Sequence, residues 1–155
     1  MIKIDLLKNH PCAIQALAHI WHDVLGRIWL PEISVESVMA KFADYLNDKN
    51  LPITFVALHD DVPVGMCSLR ENDGIRPSFT PLLVALVVDS KYQKQGIGKM
   101  LVDAAFVKAK QLGFKKLYLF AFDPTILQYY ERLGWKTIGM DEFKSRPVTV
   151  MEVNL

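Results

Sequence analysis

The sequence predicts an α/β fold, with a mixed sheet of about seven strands and four helices in the order β-αα-ββ-β-α-β-α-ββ. Three observations predict it. Two amphipathic stripes follow each other near the N-terminus, several short apolar runs are separated by turn residues, and the most apolar run, "PLLVALVVD", passes through a glycine turn, "QKQGIGKM", into a third helical stripe.

The elements follow in order. Ile2 to Leu6 reads as an opening strand. In "HPCAIQALAHIWHDVLGRIW", Ile14, Leu17, Ala18, Trp21, Val24 and Leu25 recur at three-four spacing and predict one amphipathic helix. Ser34 is the N-cap of a second helix, with Val35, Val38, Met39, Phe42, Tyr45 and Leu46 as its stripe and "NDKN" as its stop. Ile53 to Leu58 and Val62 to Arg70 read as a hairpin turning at Asp60 and Asp61. Beyond the loop "ENDGIRPSFTP", the unbroken apolarity of Leu82 to Val88 predicts a central strand covered on both faces, with the chemistry at its far end. From Gly96, the residues Ile97, Met100, Leu101, Ala104, Ala105 and Leu112 mark a helix that ends at Gly113. "KKLYLFAF" is another buried strand, Thr125 to Leu133 a short helix after Asp123-Pro124, and "GWKTIGM" and "PVTVMEVNL" close the sheet.

With 155 residues the chain fits one domain, 1–155, and a domain of this size buries roughly 70% of the surface its unfolded chain exposes. Lys and Arg number 18 against 17 Asp and Glu, a formal net charge of +1 without any basic run, so neither nucleic acid nor an anionic membrane is an expected partner. Cys12 and Cys67 lack a C-x-x-C partner and lie in apolar segments, where small buried thiols are expected. Lys3, Asp5 and Lys8 interrupt what would be the apolar core of a signal peptide, and Leu82 to Val88 is far shorter than the roughly 20 residues that span a bilayer, so a cytoplasmic protein is expected. His10, His19, His22 and His59 show no metal-binding spacing, and no metal is expected.

A strand running through "QKQGIG" into a helix points successive N–H groups at one place, which suits an anion; a plain turn between a buried strand and a helix fits the same residues. Gly96 and Gly98 keep a Cβ from holding a pyrophosphate off the main chain, and Lys94 and Lys99 add positive charge. Spacing rejects two phosphate loops. A dinucleotide fingerprint needs glycine where Leu101 stands, and a P-loop needs glycine at Gln93 and a hydroxyl residue at Met100.

These residues carry a resemblance. "VVDSKYQKQGIGKMLVDAA" resembles motif A of the GNAT superfamily of N-acetyltransferases, whose pattern Q/R-x-x-G-x-G/A is met by Gln93, Gly96 and Gly98, and "LQYYERLGW" resembles the family's [FY]-Y-E-x-x-G-[FW] segment. The likeness is good over Val62 to Met140 and rests on pattern alone over the first 60 residues. It implies a GNAT-like fold and a single N-acetyltransferase domain, with acetyl-CoA as co-substrate. It also implies that the pyrophosphate of coenzyme A lies on Gln93, Lys94, Gln95, Gly96, Ile97, Gly98 and Lys99, and that the pantetheine arm pairs with the backbones of Leu86 and Val88 like an added strand. Where the family usually has an Asn reaching toward pantetheine, this chain has Asp123, which accepts a hydrogen bond but, ionised, does not donate one.

Direct transfer from a thioester to an amine needs a neutral nucleophile, a stabilised oxyanion and a leaving thiolate that is looked after. The resemblance implies a backbone N–H near Val88 for the oxyanion and Tyr130 for the thiolate, with Tyr129 in a packing position. For the base, Glu71 and Asp73 lie where the third strand ends, and Glu71, directly after "VGMCSLR", is the expected catalytic carboxylate. Trp21 fits the apolar stripe of its helix, whereas Trp29, before Pro31, is free to line a pocket. Asp23, Glu32, Glu36, Glu71 and Asp73 on the acceptor side suggest a small cationic amine as acceptor. A protein or peptide acceptor and a non-catalytic acyl-CoA-binding regulatory domain are the alternatives, and a monomer or homodimer is expected.

Overall fold

The structure is a computed structural model that describes every residue except Asp73. Strands β1 (Ile2–Leu6), β2 (Ile53–His59), β3 (Val62–Arg70), β4 (Leu82–Val88), β5 (Lys116–Ala121), β6 (Lys136–Phe143) and β7 (Arg146–Asn154) form one sheet in the order β1-β2-β3-β4-β5-β7-β6. All neighbours are antiparallel except β4 and β5, which are parallel. Among the described residues no helix is long and apolar enough to cross a membrane.

Both hairpins turn on two residues of positive φ, Asp60 and Asp61 (48° and 69°) and Lys144 and Ser145 (49° and 66°). That geometry matches the twist of the flanking strands. Parallel pairing of β4 and β5 requires a crossover, and the crossover is helix α4 (Ile97–Gln111), which packs on β2, β3 and β4.

The first helical region differs from the single helix expected. It consists of α1 (Ile14–Trp21), a π-helical turn (His22–Gly26) and a short α2 (Arg27–Trp29), preceded by a 3-10 turn (Pro11–Ala13). The widened turn brings the Trp21 ring against Gly26, where a Cβ would lie 3.0 Å from it. Helix α3 (Val35–Ala43) begins as expected, with Ser34 Oγ accepting the Ser37 N–H at 3.1 Å, but stops before Tyr45 and Leu46. Leu46 instead forms an isolated bridge to Ile53.

Apolar cores flank the sheet on both sides, and among the described residues a third cluster gathers Ile75, Leu82, Phe143, Val148 and Val150. Val56, Leu58 and Met66 meet Leu17, Val38 and Phe42 of α1 and α3 on one side. Ile53, Cys67 and Leu69 meet Leu101 and Ala105 of α4 on the other, a core that extends to Tyr130 of α5 (Pro124–Arg132). Strand β2 is buried on both faces from Ile53 to Leu58. The expectation of unbroken burial for β4 is corrected, because Val84, Ala85 and Leu86 are only half-buried. They face a cavity. Cys67 is buried as expected and its thiol donates to Leu101 O at 3.4 Å, but Cys12 is exposed, since it sits in the 3-10 turn ahead of α1 instead of on the helix's buried face.

Candidate active site

The site begins with a failure of pairing. Strands β4 and β5 register only at Leu82 opposite Tyr118, where Tyr118 N–H also donates to Pro81 O at 3.0 Å. Beyond that point they part, and a cavity of about 950 Å³ lies between Leu83–Leu86 on one side and Leu119–Ala121 on the other. A bulge in β4 accompanies the parting. Met66 pairs with Val87 but Ser68 with Val84, so Ala85 and Leu86 together oppose Cys67, and Ala85 takes a φ of 55°. Such an insertion bends a strand and increases its local twist.

Asp89 N–H donates to Val64 O at 2.8 Å. Strand alternation then turns the backbone groups of Val88 away from β3 and toward the open side. Val88 O accepts Gln93 Nε2 there at 3.0 Å, which ties the glycine turn back to the end of β4.

Lys94 and Gly96 have positive φ (63° and 83°), and Gly96 is the N-cap of α4. No side chain caps this helix and no acid stands in its first turn, so its first N–H groups are left to solvent or ligand. The two glycines serve the protein itself in different ways. A Cβ at Gly96 would meet nothing within 4 Å, so its requirement is the left-handed conformation, whereas a Cβ at Gly98 would lie 3.0 Å from the Tyr129 hydroxyl. Lys94 and Gln95 are exposed and Ile97 is buried in the core. Lys99 Nζ bonds Asp103 Oδ2 at 2.8 Å, and that hydrogen bond raises the lysine's pKa.

Asp123 caps α5, its Oδ1 accepting the Thr125 N–H at 2.9 Å. The helix presents Tyr130 to the cavity wall while leaving it only 6% exposed, edge-on to Tyr129 and Trp135 with centroids at 5.3 and 5.5 Å. Burial pushes the Tyr130 phenol far above its ordinary pKa, with Tyr129 and Cys67 adding to the shift. Tyr129 is half-buried, and desolvation raises its pKa as well.

The other end of the cavity is formed by the helical region that the sequence reading assigns to the acceptor. The π-helical turn brings Trp21, Leu25 and Trp29 to one wall. Trp29 packs edge-on against Phe122, Phe143 and Phe120 at 4.5, 5.1 and 5.9 Å. Thus Trp29 lines the pocket as expected, and Trp21 packs against the core beside Phe42, as its apolar stripe implies, while also reaching the same wall. Of the acids expected around the acceptor, Glu32 lines the cavity. Glu71 is exposed and outside the wall, although its neighbours Arg70 and Asn72 belong to it. Asp23 is exposed, 3.5 Å from Arg27, Glu36 is exposed in the first turn of α3, and Asp73 lies outside the described residues.

The sequence reading missed three charged residues of the wall, Lys41, Arg70 and Lys144. Lys41 had a signal, since it falls between Val38 and Tyr45 on the helix's apolar stripe, where a cation is out of pattern. Arg70 ends a buried strand, and Lys144 is in a tight turn, a context that carries no such signal.

The site thus combines a parallel pair of strands that opens into a cavity with an uncapped helix that starts at a glycine turn. The model of the acetyltransferase (GNAT) family matches residues 14–135, and the chain belongs to that family of acyltransferases. No curated protein matches the sequence. Among solved structures, an aminoglycoside 6'-acetyltransferase type Ii is similar at 24% identity and a TM-score of 0.75, covering 98% of this chain and 96% of that one. An aminoglycoside 6'-N-acetyltransferase complexed with coenzyme A is similar at 22% identity and a TM-score of 0.73, covering 99% and 96%. A ribosomal-protein-alanine N-acetyltransferase from Brucella melitensis is similar at 19% identity and a TM-score of 0.75, covering 100% and 99%. Likeness at this distance establishes the fold and leaves the acceptor to the residues of the cavity.

Proposed function

We propose that the protein transfers acetyl from acetyl-CoA directly to the primary amine of a small molecule. The observation that carries this reading is the continuity of three features: the uncapped N-terminus of α4, the open edge of β4, and Tyr130 in the wall of the same cavity. The N–H groups from Gly96 to Lys99, with Gln93, Lys94 and Gln95 beside them, would hold the pyrophosphate. The open backbones of Leu86 and Val88 would hold the pantetheine arm, which delivers the thioester to the cavity. Asp123, whose carboxylate is engaged as a helix cap, would contribute there only by shaping the start of α5.

The residues then meet the three chemical needs. An alkylamine of pKa about 10.4 costs about 4.6 kcal/mol to deprotonate at pH 7. Glu32, the carboxylate in the wall, is placed to hold the ammonium and pass its proton on through water, a task the sequence assigned to Glu71. A backbone N–H of β4 near Val88 would steady the oxyanion, a donor worth roughly 3 kcal/mol. Giving a proton from a phenol of pKa about 10 to a thiolate of about 8.5 already runs uphill by roughly 2 kcal/mol. Burial makes it steeper for Tyr130, which therefore donates a hydrogen bond to the sulfur and keeps its proton.

Release of free thiol from acetyl-CoA, followed with polyamines, amino acids, aminoglycosides and peptides in turn, tests the reading. Turnover of a small amine is the expected result. Turnover of peptides alone would replace it with a peptide acetyltransferase. Tight acetyl-CoA binding without any turnover would replace it with a regulatory acyl-CoA-binding domain.

A further inference from the structure

The space that Gly98 leaves open is taken by a hydroxyl. Gly98 stands in the first turn of α4, and a Cβ there would lie 3.0 Å from Tyr129 Oη and 3.9 Å from the ring carbon that bears it. The oxygen is the nearer atom, so the side chain reaches the glycine turn from α5 with its polar end, beside the N–H groups that no side chain caps. The ring behind it is anchored. It is half-buried, packs against the core under α4, and stands edge-on to Tyr130 at 5.3 Å. Among the described residues no group accepts a hydrogen bond from the Tyr129 hydroxyl, whereas the nearby Lys99 is committed to Asp103 at 2.8 Å. Burial, with Asp103 adding to it, raises the Tyr129 pKa against the opposing pull of Lys99 and Arg132, so at neutral pH the phenol is a protonated donor.

We propose that the Tyr129 hydroxyl donates a hydrogen bond to the pyrophosphate of acetyl-CoA, which makes Tyr129 a positioning residue for the cofactor. The inference rests on the acetyl-CoA reading above and adds to it a side chain that the sequence placed in packing. A phenylalanine would fill the same space between Tyr130 and the core; what the hydroxyl adds is a donor at the turn. Gly98 then serves the cofactor twice, by baring its own backbone and by admitting the oxygen of a neighbouring helix where its own Cβ would stand. A hydrogen bond to a charged oxygen is stronger than one between neutral groups, and a phosphate is such an acceptor. Tyr129 also precedes Tyr130 on α5, so that one helix meets the cofactor at two places, its phosphates through Tyr129 and its sulfur through Tyr130.

Tyr129→Phe tests this, because it removes one oxygen and keeps the ring; a thermal melt confirms that the variant is folded. Calorimetric titrations are expected to show acetyl-CoA and free coenzyme A both bound about tenfold more weakly than by the parent, the low end for one hydrogen bond to a charged group. Phosphorus NMR of the two proteins saturated with coenzyme A supplies a signature that a packing role would not move. The pyrophosphate resonances are expected to differ between parent and variant, while the resonance of the ribose phosphate stays in place. Equal affinities, a loss confined to the acetylated form, or pyrophosphate resonances that coincide would each overturn this inference, return Tyr129 to packing and leave the acetyl-CoA reading standing. A parent protein that binds neither acetyl-CoA nor coenzyme A would overturn both.

Discussion

Tyr130 combines two properties that are rarely useful together, near-complete burial and a place in the wall of the reaction cavity. Its hydroxyl is therefore a weak acid that stays protonated. Tyr130→Phe is expected to lower kcat by about 10- to 100-fold, the worth of one hydrogen bond to a charged atom, while acetyl-CoA affinity changes little. Equal kcat values in stopped-time thiol assays would reassign the residue to packing. The raised pKa has a second consequence. The folded protein keeps this proton where an unfolded chain, with a pKa of about 10, gives it up, so stability present below that pH declines as the pH climbs above it. Denaturant melts at pH 9 and pH 11 should show a smaller alkaline loss for Tyr130→Phe than for the parent. Glu32 and Glu71 form the other residue-level contrast: both are exposed, but Glu32 lines the cavity wall and Glu71 does not. Glu32→Gln is expected to depress the rate and shift the rising limb of the pH profile more than Glu71→Gln does. The reverse order would return the base to the end of β3.

At the scale of elements, helix α5 is nine residues long and depends on its start: Pro124 at N1 and Asp123 as cap. Asp123→Ala should cost about 1 kcal/mol of stability, read as a lower denaturant midpoint. An unchanged midpoint would show that Tyr130 and Trp135 hold the helix without its cap. The strands were legible because each is a short apolar run closed by turn residues, and β3 and β4 have the expected ends, Val62 to Arg70 and Leu82 to Val88. The helix after the glycine turn was legible for a similar reason, its stripe ending at Gly113 with a φ of 91°. The π-helical turn was not. Its residues, His22 to Gly26, continue the apolar spacing of α1 closely enough that one helix fits them, and only the packing of Trp21 on Gly26 reveals the wider turn. The parting of β4 from β5 was legible only through the resemblance, which has the pantetheine arm add to β4; the residues alone do not show it, because both strands are apolar whether or not they pair. The acids misled for a related cause: Glu71 and Glu32 are both exposed, but Glu71 follows a buried strand and stays outside the wall, while Glu32, in the linker before α3, is part of it. Sequence neighbours were a poor guide to which side chains converge on a cavity whose wall draws on α1, α2, α3, α5 and strands β3 to β6.

For the whole molecule, the sheet opens in a seam between β4 and β5, and Glu32 and Tyr130 line the cavity at that opening. α4 begins at one end of the seam, β4 bulges beside it, α5 supplies Tyr130, and α1 to α3 with the β6–β7 turn enclose its far end. The central claim is that acetyl-CoA occupies this seam with its pyrophosphate on the turn from Gln93 to Lys99. Gly98 is the position from which to test it. A Cβ there meets only the end of the Tyr129 side chain, 3.0 Å from its hydroxyl, which has to give by a few tenths of an ångström. A carboxylate, however, would confront the phosphates with both bulk and like charge. The decisive measurement is a calorimetric titration of acetyl-CoA into the parent protein and into Gly98→Glu, both verified as folded by thermal melt. The account predicts a saturating, single-site isotherm for the parent and no measurable binding for the variant. Equal affinities for the two proteins would contradict it.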